Sequence, residues 1–290
     1  MNEALITAIR RQMSPGGAFL STVRTSYGEV EDRNCFVSGL VLRELAGLPT
    51  HPELDEARRL ATAFLLRSAY PQIYPYCFAF WPPQYPPFWL RTALYADADD
   101  TCVIGLELVR AGHWPAEALE YIADNYLQPH RATGALRHHL RHEWQPEGVF
   151  LTWFTTADAP NPIDCCVNTN AVALLARAGL KAAPGYAEAC TMINTAAHLL
   201  ARHPQQVQHF TPYYPHPGEW LHALRHAVAA GADELQPALA AVAGLPQLAA
   251  ATGPEIPAPL CSDVSGDIVW TAPVLGLARE LRRRYFQSLS

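Results

Sequence analysis

The stretch Asp97-Ala98-Asp99-Asp100-Thr101, running into the apolar segment Cys102 to Gly112, decides how this chain is read. Cys102, Leu106 and Val109 recur at i, i+4 and i+7, one face of a helix that Gly112 can end. An Asp is a favoured N-cap, and carboxylates suit the positive end of the helix dipole. Capping needs one of the three. Crowded carboxylates repel, so a buried cluster holds at least one with a raised pKa, and a neutral carboxylic acid in a dry site can donate a proton.

Outward from this stretch the chain repeats itself. Gly17-Ala18-Phe19-Leu20-Ser21-Thr22 resembles Gly148-Val149-Phe150-Leu151-Thr152-Trp153. Phe88-Trp89-Leu90-Arg91-Thr92 reads as a weaker third copy, and Phe210-Thr211-Pro212-Tyr213-Tyr214 as a fourth. Each precedes a polar loop and then a helix, and the helices are expected to begin at Asn34-Cys35, Asp100-Thr101, Asp164-Cys165 and near Pro217-Gly218. Two close alike, on Arg110-Ala111-Gly112 and Arg177-Ala178-Gly179. Further helical rhythms run over Leu54–Leu65, Leu119–Tyr126, Tyr186–Leu200 and Leu235–Val242, with a last one over Ile268–Tyr285. Sustained period-2 alternation is missing, so the sequence predicts an all-α chain of helix pairs in one domain, 1–290. Such an array either stays open as a solenoid or closes into a ring.

Composition bounds the function. Half of the 290 residues are hydrophobic and the net charge is -6 with scattered basic residues, which argues against nucleic acid as partner. Seven Cys without a paired CxxC arrangement read as reduced thiols. With neither a signal-like h-region nor a membrane-length apolar run, the expected location is cytoplasmic.

The Asp97-Ala98-Asp99-Asp100-Thr101 stretch resembles the DxDD motif of class II terpene cyclases, the squalene–hopene and copalyl-diphosphate type. Gln12 to Phe19 and Gln145 to Phe150 look like degenerate Gln…Gly-x-Trp repeats of that superfamily, with Phe in place of Trp. The resemblance implies a closed α/α toroid in which Asp99 donates the proton and Asp97 and Asp100 hold and orient it. The substrate is then a small apolar isoprenoid. The chemistry itself takes no metal, and Mg2+ enters only as the counter-ion of a substrate diphosphate, for which Glu29-Val30-Glu31-Asp32 is read as a solvated loop rather than a binding motif. Full-length class II cyclases carry two helical domains, and this chain has room for one. The superfamily also includes protein prenyltransferase β subunits. Asp164-Cys165-Cys166 shares the Asp-x-Cys spacing of their zinc site, but Trp270 stands where the zinc-binding His falls.

A carbocation is held by π faces, not by anions that would quench it. The candidate substrate-binding residues are therefore Trp89, Trp153, Phe154, Tyr213, Tyr214, Trp220 and Trp270, near repeat starts. Asp164, Asn168 and Asn170, polar groups of an otherwise apolar helix, are added to them. Two other readings stay open. One is a non-catalytic toroid that binds an apolar ligand or a protein. The other is a glycan-active α/α barrel using Asp99 with Asp164 as acid and base.

Overall fold

The computed structural model describes residues 2–70, 74–84, 86–87, 95–156, 159–250 and 259–288. Among them, helices α1 (Glu3–Arg11), α2 (Cys35–Leu45), α3 (Pro52–Ser68), α4 (Ala98–Arg110), α5 (Glu117–Ile122) and α6 (Cys165–Arg177) are followed by α7 (Tyr186–Arg202), α8 (Val207–Phe210), α9 (Pro217–Ala229), α10 (Gln236–Ala243), α11 (Pro246–Ala250) and α12 (Pro273–Gln287).

Sequence chemistry explains the layering. Helices α2 and α6 are apolar nearly all round, and every residue of α2 is buried; such a helix needs neighbours on all sides. Contacts run from α2 to α4, from α4 to α6 and from α6 to α9. Helix α12 packs on α2 and reaches α9 through the Arg279–Glu219 ion pair, 2.6 Å. Outside this series α3 covers α2, α5 covers α4, α7 covers α6, α10 covers α9, and α1 covers α12.

The starts of the central helices lie where the sequence puts them, because each carries a side-chain cap. Asn34 accepts from the Val37 N–H, Asp97 from the Asp100 N–H, Asp164 from Cys166 and Val167, and His216 Nδ1 from Gly218. Helix α4 is the exception: it begins three residues earlier than expected, with Asp97 rather than Asp100 outside it.

The repeats also have a physical basis. The Phe19 N–H donates to Ser38 Oγ, the Phe78 N–H to Thr101 Oγ1 and the Phe150 N–H to Asn168 Oδ1. These three segments are thus each tied to a polar side chain in the first turns of a central helix; the fourth copy, Phe210–Tyr214, is held instead through the Tyr213 N–H to Asp164. The expected third copy, Phe88–Thr92, falls outside the described residues; the segment making the equivalent bond is Cys77-Phe78-Ala79-Phe80. It joins two helix starts, since Phe80 O accepts from Cys35 N and Phe78 O from Asp97 N. Gly17 and Gly148 both turn with positive φ, 91° and 100°. A Cβ on Gly17 would come within 2.5 Å of the Leu60 carbonyl oxygen.

The all-α expectation needs correcting. Strands β1 (Ser21–Thr25), β2 (Gly28–Asp32), β3 (Cys261–Ser262) and β4 (Val269–Thr271) form an antiparallel sheet in the order β2-β1-β4-β3. Helix holds 56% and strand 8% of the described residues, so the sheet is an addition to a helix-rich body rather than a second layer. Glu29-Val30-Glu31-Asp32, expected as a solvated loop, is β2, and Asp32 is buried. The last helical rhythm starts five residues late because Val269–Thr271 pairs with β1 instead. Among the described residues, no helix is long and apolar enough to cross a membrane.

Candidate active site

At the capped ends of α2, α4 and α6 lies a cavity of about 270 Å³. Its wall combines the rings of Phe36, Phe80, Trp81, Trp153, Tyr213, Tyr214 and Trp270 with the carboxyls of Asp97, Asp99 and Asp100. Phe80 stands edge-on to Trp81 at 4.7 Å and to Trp270 at 5.2 Å, and Trp153 edge-on to Tyr213 at 5.8 Å. Such contacts fix ring orientation, so the π faces are preset.

One carboxylate outside the wall organises it. Asp32 accepts from Trp81 Nε1 (2.8 Å), from Trp270 Nε1 (3.1 Å) and from Asn34 Nδ2 (2.8 Å). It therefore joins both indoles to the cap of α2. Trp153 is placed from the other side: its residue bridges Asp97 as a short antiparallel contact, and its Nε1 donates to the Tyr213 hydroxyl at 2.9 Å.

The three acids have different tasks. Asp97 Oδ1 takes the Asp100 N–H at 2.7 Å and caps α4. Asp99 Oδ1 accepts from Asn170 Nδ2 at 2.5 Å, and its Oδ2 accepts from the Tyr214 hydroxyl. The buried Oδ1 of Asp100 has no hydrogen-bond partner. Burial pushes all three pKa values up. Asp97 reaches about 7, drawn down by its bonds to Asp100 and up by the charge of Asp99. Asp100 lies well above the carboxylate range, through burial and then the nearby Asp97 charge. Asp99 is raised by burial against the opposing pull of Tyr214, Asn170 and Arg43.

This inequality has a chemical meaning. Asp100 holds a proton tightly because nothing is placed to receive its negative charge. Asp99 is the better donor, since its conjugate base would meet two fixed hydrogen-bond donors and the Arg43 guanidinium behind them. Arg43 Nη1 donates to Asn170 Oδ1 at 3.3 Å. A guanidinium only donates, so this bond turns the Asn170 amide nitrogen toward Asp99. Tyr214→Phe removes one donor and should lower any proton-dependent turnover about 10- to 100-fold, the worth of one hydrogen bond to a charge. Steady-state rates with unchanged near-UV circular dichroism would check this.

The remaining candidates divide. Trp153, Tyr213, Tyr214 and Trp270 stand in the wall, and Asn170 touches Asp99 from behind it. Four others do not line this cavity. Asp164 spends both oxygens on three backbone N–H groups, those of Cys166, Val167 and Tyr213. Burial still raises its pKa to about 7, yet it is a structural cap, so the Asp99–Asp164 acid–base pair is not assembled at the wall. Asn168 bonds the backbone of Phe150 and Asp164. Trp220 is fully buried and donates to Thr169. Phe154 stacks on Tyr126 at 5.4 Å in a separate depression. Trp89 lies outside the described residues. Phe36, Phe80, Trp81 and Arg43 were not singled out by sequence, and Asp32 was read only as part of the Glu29–Asp32 loop. Only Trp81, at the edge of a Pro-rich stretch, carried a local signal.

Fold and site together define a helix-rich protein with a carboxyl cluster set into an aromatic cavity. No protein-family model matches the chain, and no curated protein matches it.

Proposed function

We propose that this protein is a protonation-initiated isoprenoid cyclase of the class II type, built as a closed α/α toroid. The observation that carries the reading is Asp99, a carboxyl in an aromatic wall whose oxygens both face hydrogen-bond donors. The toroid is supported by the series of central helices, which runs from α2 through α9 to α12 and back to α2.

In the reaction, the Asp99 proton adds to one carbon of a terminal alkene and the π pair becomes the new C–H bond. The adjacent, more substituted carbon is left as a cation. A second double bond of the folded chain attacks it, closing a ring and moving the positive charge along. Loss of a proton from the last cation to solvent water restores an alkene, and solvent returns a proton to the acid cluster, so the product is an isomer of the substrate. The faces of Trp81, Trp153 and Trp270 stabilise the migrating charge without bonding to it. The Asp97–Asp100 pair shares a proton beside Asp99 and reloads it.

Turnover should fall as pH rises through about 7, where Asp97 releases its proton. The sign follows from charge: an added anion beside Asp99 tightens its hold on the proton, and the one proton left in the pair is the one Asp100 holds tightly. A rate that climbs with pH between 6 and 8 would contradict this.

The direct test is incubation with linear polyprenyl diphosphates of graded length, followed by mass spectrometry for isomers of unchanged mass and altered retention. A polyprenyl compound that raises the melting temperature but is never converted would replace the cyclase with a ligand-binding toroid.

A further inference from the structure

At the end of the central helices opposite the acid cavity, a second basin of about 220 Å³ lies over Asn170. Arg43 forms part of its lining, with Arg110, Arg177, Glu107 and His226. Each Arg occupies the last turn of its helix, α2, α4 or α6, where the dipole favours a cation. The dipole accounts for each one singly. It does not account for their meeting in one basin, nor for the state of Arg43. Arg43 is 5% exposed, and its buried Nε has no hydrogen-bond partner.

Charge bookkeeping defines the ligand. Glu107 is bound to Arg110. His226 faces Glu44 at 3.6 Å, and burial brings its pKa down to about 4, so it is neutral near pH 7. Arg177, exposed at the rim, makes no hydrogen bond or ion pair with any described residue. In the lining itself three guanidiniums face one carboxylate; Glu44 also acts on Arg43 and Arg110, but it is itself faced by Arg279 and Arg282, so positive charge stays in excess. Besides burial, Arg282, Arg43 and Arg177 repel the charge on Arg110 and bring its pKa down to about 10. A bound dianion would relieve that crowding.

We propose that this basin binds a phosphate-type dianion, seated between Arg43, Arg110 and Arg177, and that occupancy weakens the acid on the other side of Asn170. The path is short. Arg43 bonds Asn170 at 3.3 Å, and Asn170 bonds Asp99 at 2.5 Å. An anion on Arg43 offsets the positive charge that would stabilise the Asp99 conjugate base. Binding stands on the basin alone; the effect on turnover rests on the cyclase reading.

The test is calorimetric titration of the whole protein with inorganic phosphate at constant ionic strength, for the wild type and Arg177→Gln. Arg177 is exposed and unpaired, so its replacement leaves the fold intact. One charge-assisted contact corresponds to a loss of about 10-fold or more in affinity. Arg177→Lys, which keeps the charge, should recover part of it. A prenyl monophosphate serves as the second probe. If its affinity falls in both Arg177→Gln and Trp153→Ala, the anion is the head group of a cavity ligand; if Trp153→Ala leaves both probes unchanged, it is the free ion. With a turned-over substrate, phosphate should slow the wild type more than Arg177→Gln, each against its own phosphate-free rate. The absence of saturable phosphate binding, or equal affinity in wild type and Arg177→Gln, overturns the site. Saturable binding with no change in turnover overturns the coupling, and saturable binding by a protein that converts no isoprenoid upholds the site while the cyclase reading fails.

Discussion

Replacing Asp99 with Asn is expected to abolish isoprenoid turnover while the protein stays folded. Asn is nearly isosteric and can still accept from Asn170 or Tyr214, so the wall keeps its shape. It cannot deliver a proton. Loss of a general acid typically costs ~100-fold to 10,000-fold. In the proposed reaction protonation begins the whole sequence and no other step bypasses it, so the larger figure applies. Asp100→Asn should be milder: Asp100 faces no donor that would stabilise its anion, and its part is to share the proton of Asp97. The ordering of the two variants is the informative result. Should Asp100→Asn be dead and Asp99→Asn active, the assignment of the donor is reversed; should Asp99→Asn turn over at the wild-type rate, the cyclase reading is lost.

Asp32→Ala is expected to cause the largest loss of stability of any single change at the site. The substitution takes away the acceptor shared by Trp81, Trp270 and Asn34, all in buried surroundings. A buried donor left without its acceptor costs about 1–3 kcal/mol, and the three together give roughly 4 kcal/mol after relaxation. For a domain of this size that is a drop in melting temperature of about 10 °C. Asp32→Asn should fall between, because the amide accepts through one oxygen and turns an N–H2 toward a donor. Denaturant melts at constant slope would measure the effect, and tryptophan emission would follow the two indoles. A midpoint unchanged in Asp32→Ala would mean that the indoles are held by ring packing alone.

The sequence was legible wherever structure depends on neighbours along the chain. Caps and apolar rhythm placed the starts of α2, α6 and α9 within a residue or two, because Asn34, Asp164 and His216 act on N–H groups two or three positions away. The sheet was illegible for the opposite reason. Strand β2 exposes its first four residues wholly or partly and buries only Asp32, so no alternation is written into it, and its ties to Trp81 and Trp270 come from remote segments. Among the site candidates, position near a repeat start was informative but orientation was not. Asn168 and Asn170 lie two residues apart on α6, which sets them on opposite sides of the helix. One serves the Phe150 segment and the other Asp99. Trp153 and Phe154 are consecutive in an extended segment and face opposite ways for the same kind of reason.

The pairing of β4 with β1 sets a clock on the protein's synthesis. Trp270 and Asp32 are 238 positions apart, so all of the chain between them must leave the ribosome before that wall can close. Closing so large a loop is entropically unfavourable until the final contacts form, which favours slow, late, all-or-none completion. At ~5–20 residues per second, the interval between the two residues is on the order of 10–50 seconds. Throughout it Phe80 and Trp81 lack the Trp270 ring, and the nascent chain presents an open aromatic surface. A polyprenyl ligand or a chaperone that covers this surface would act on the yield of folded protein before the acid has a chamber in which to work.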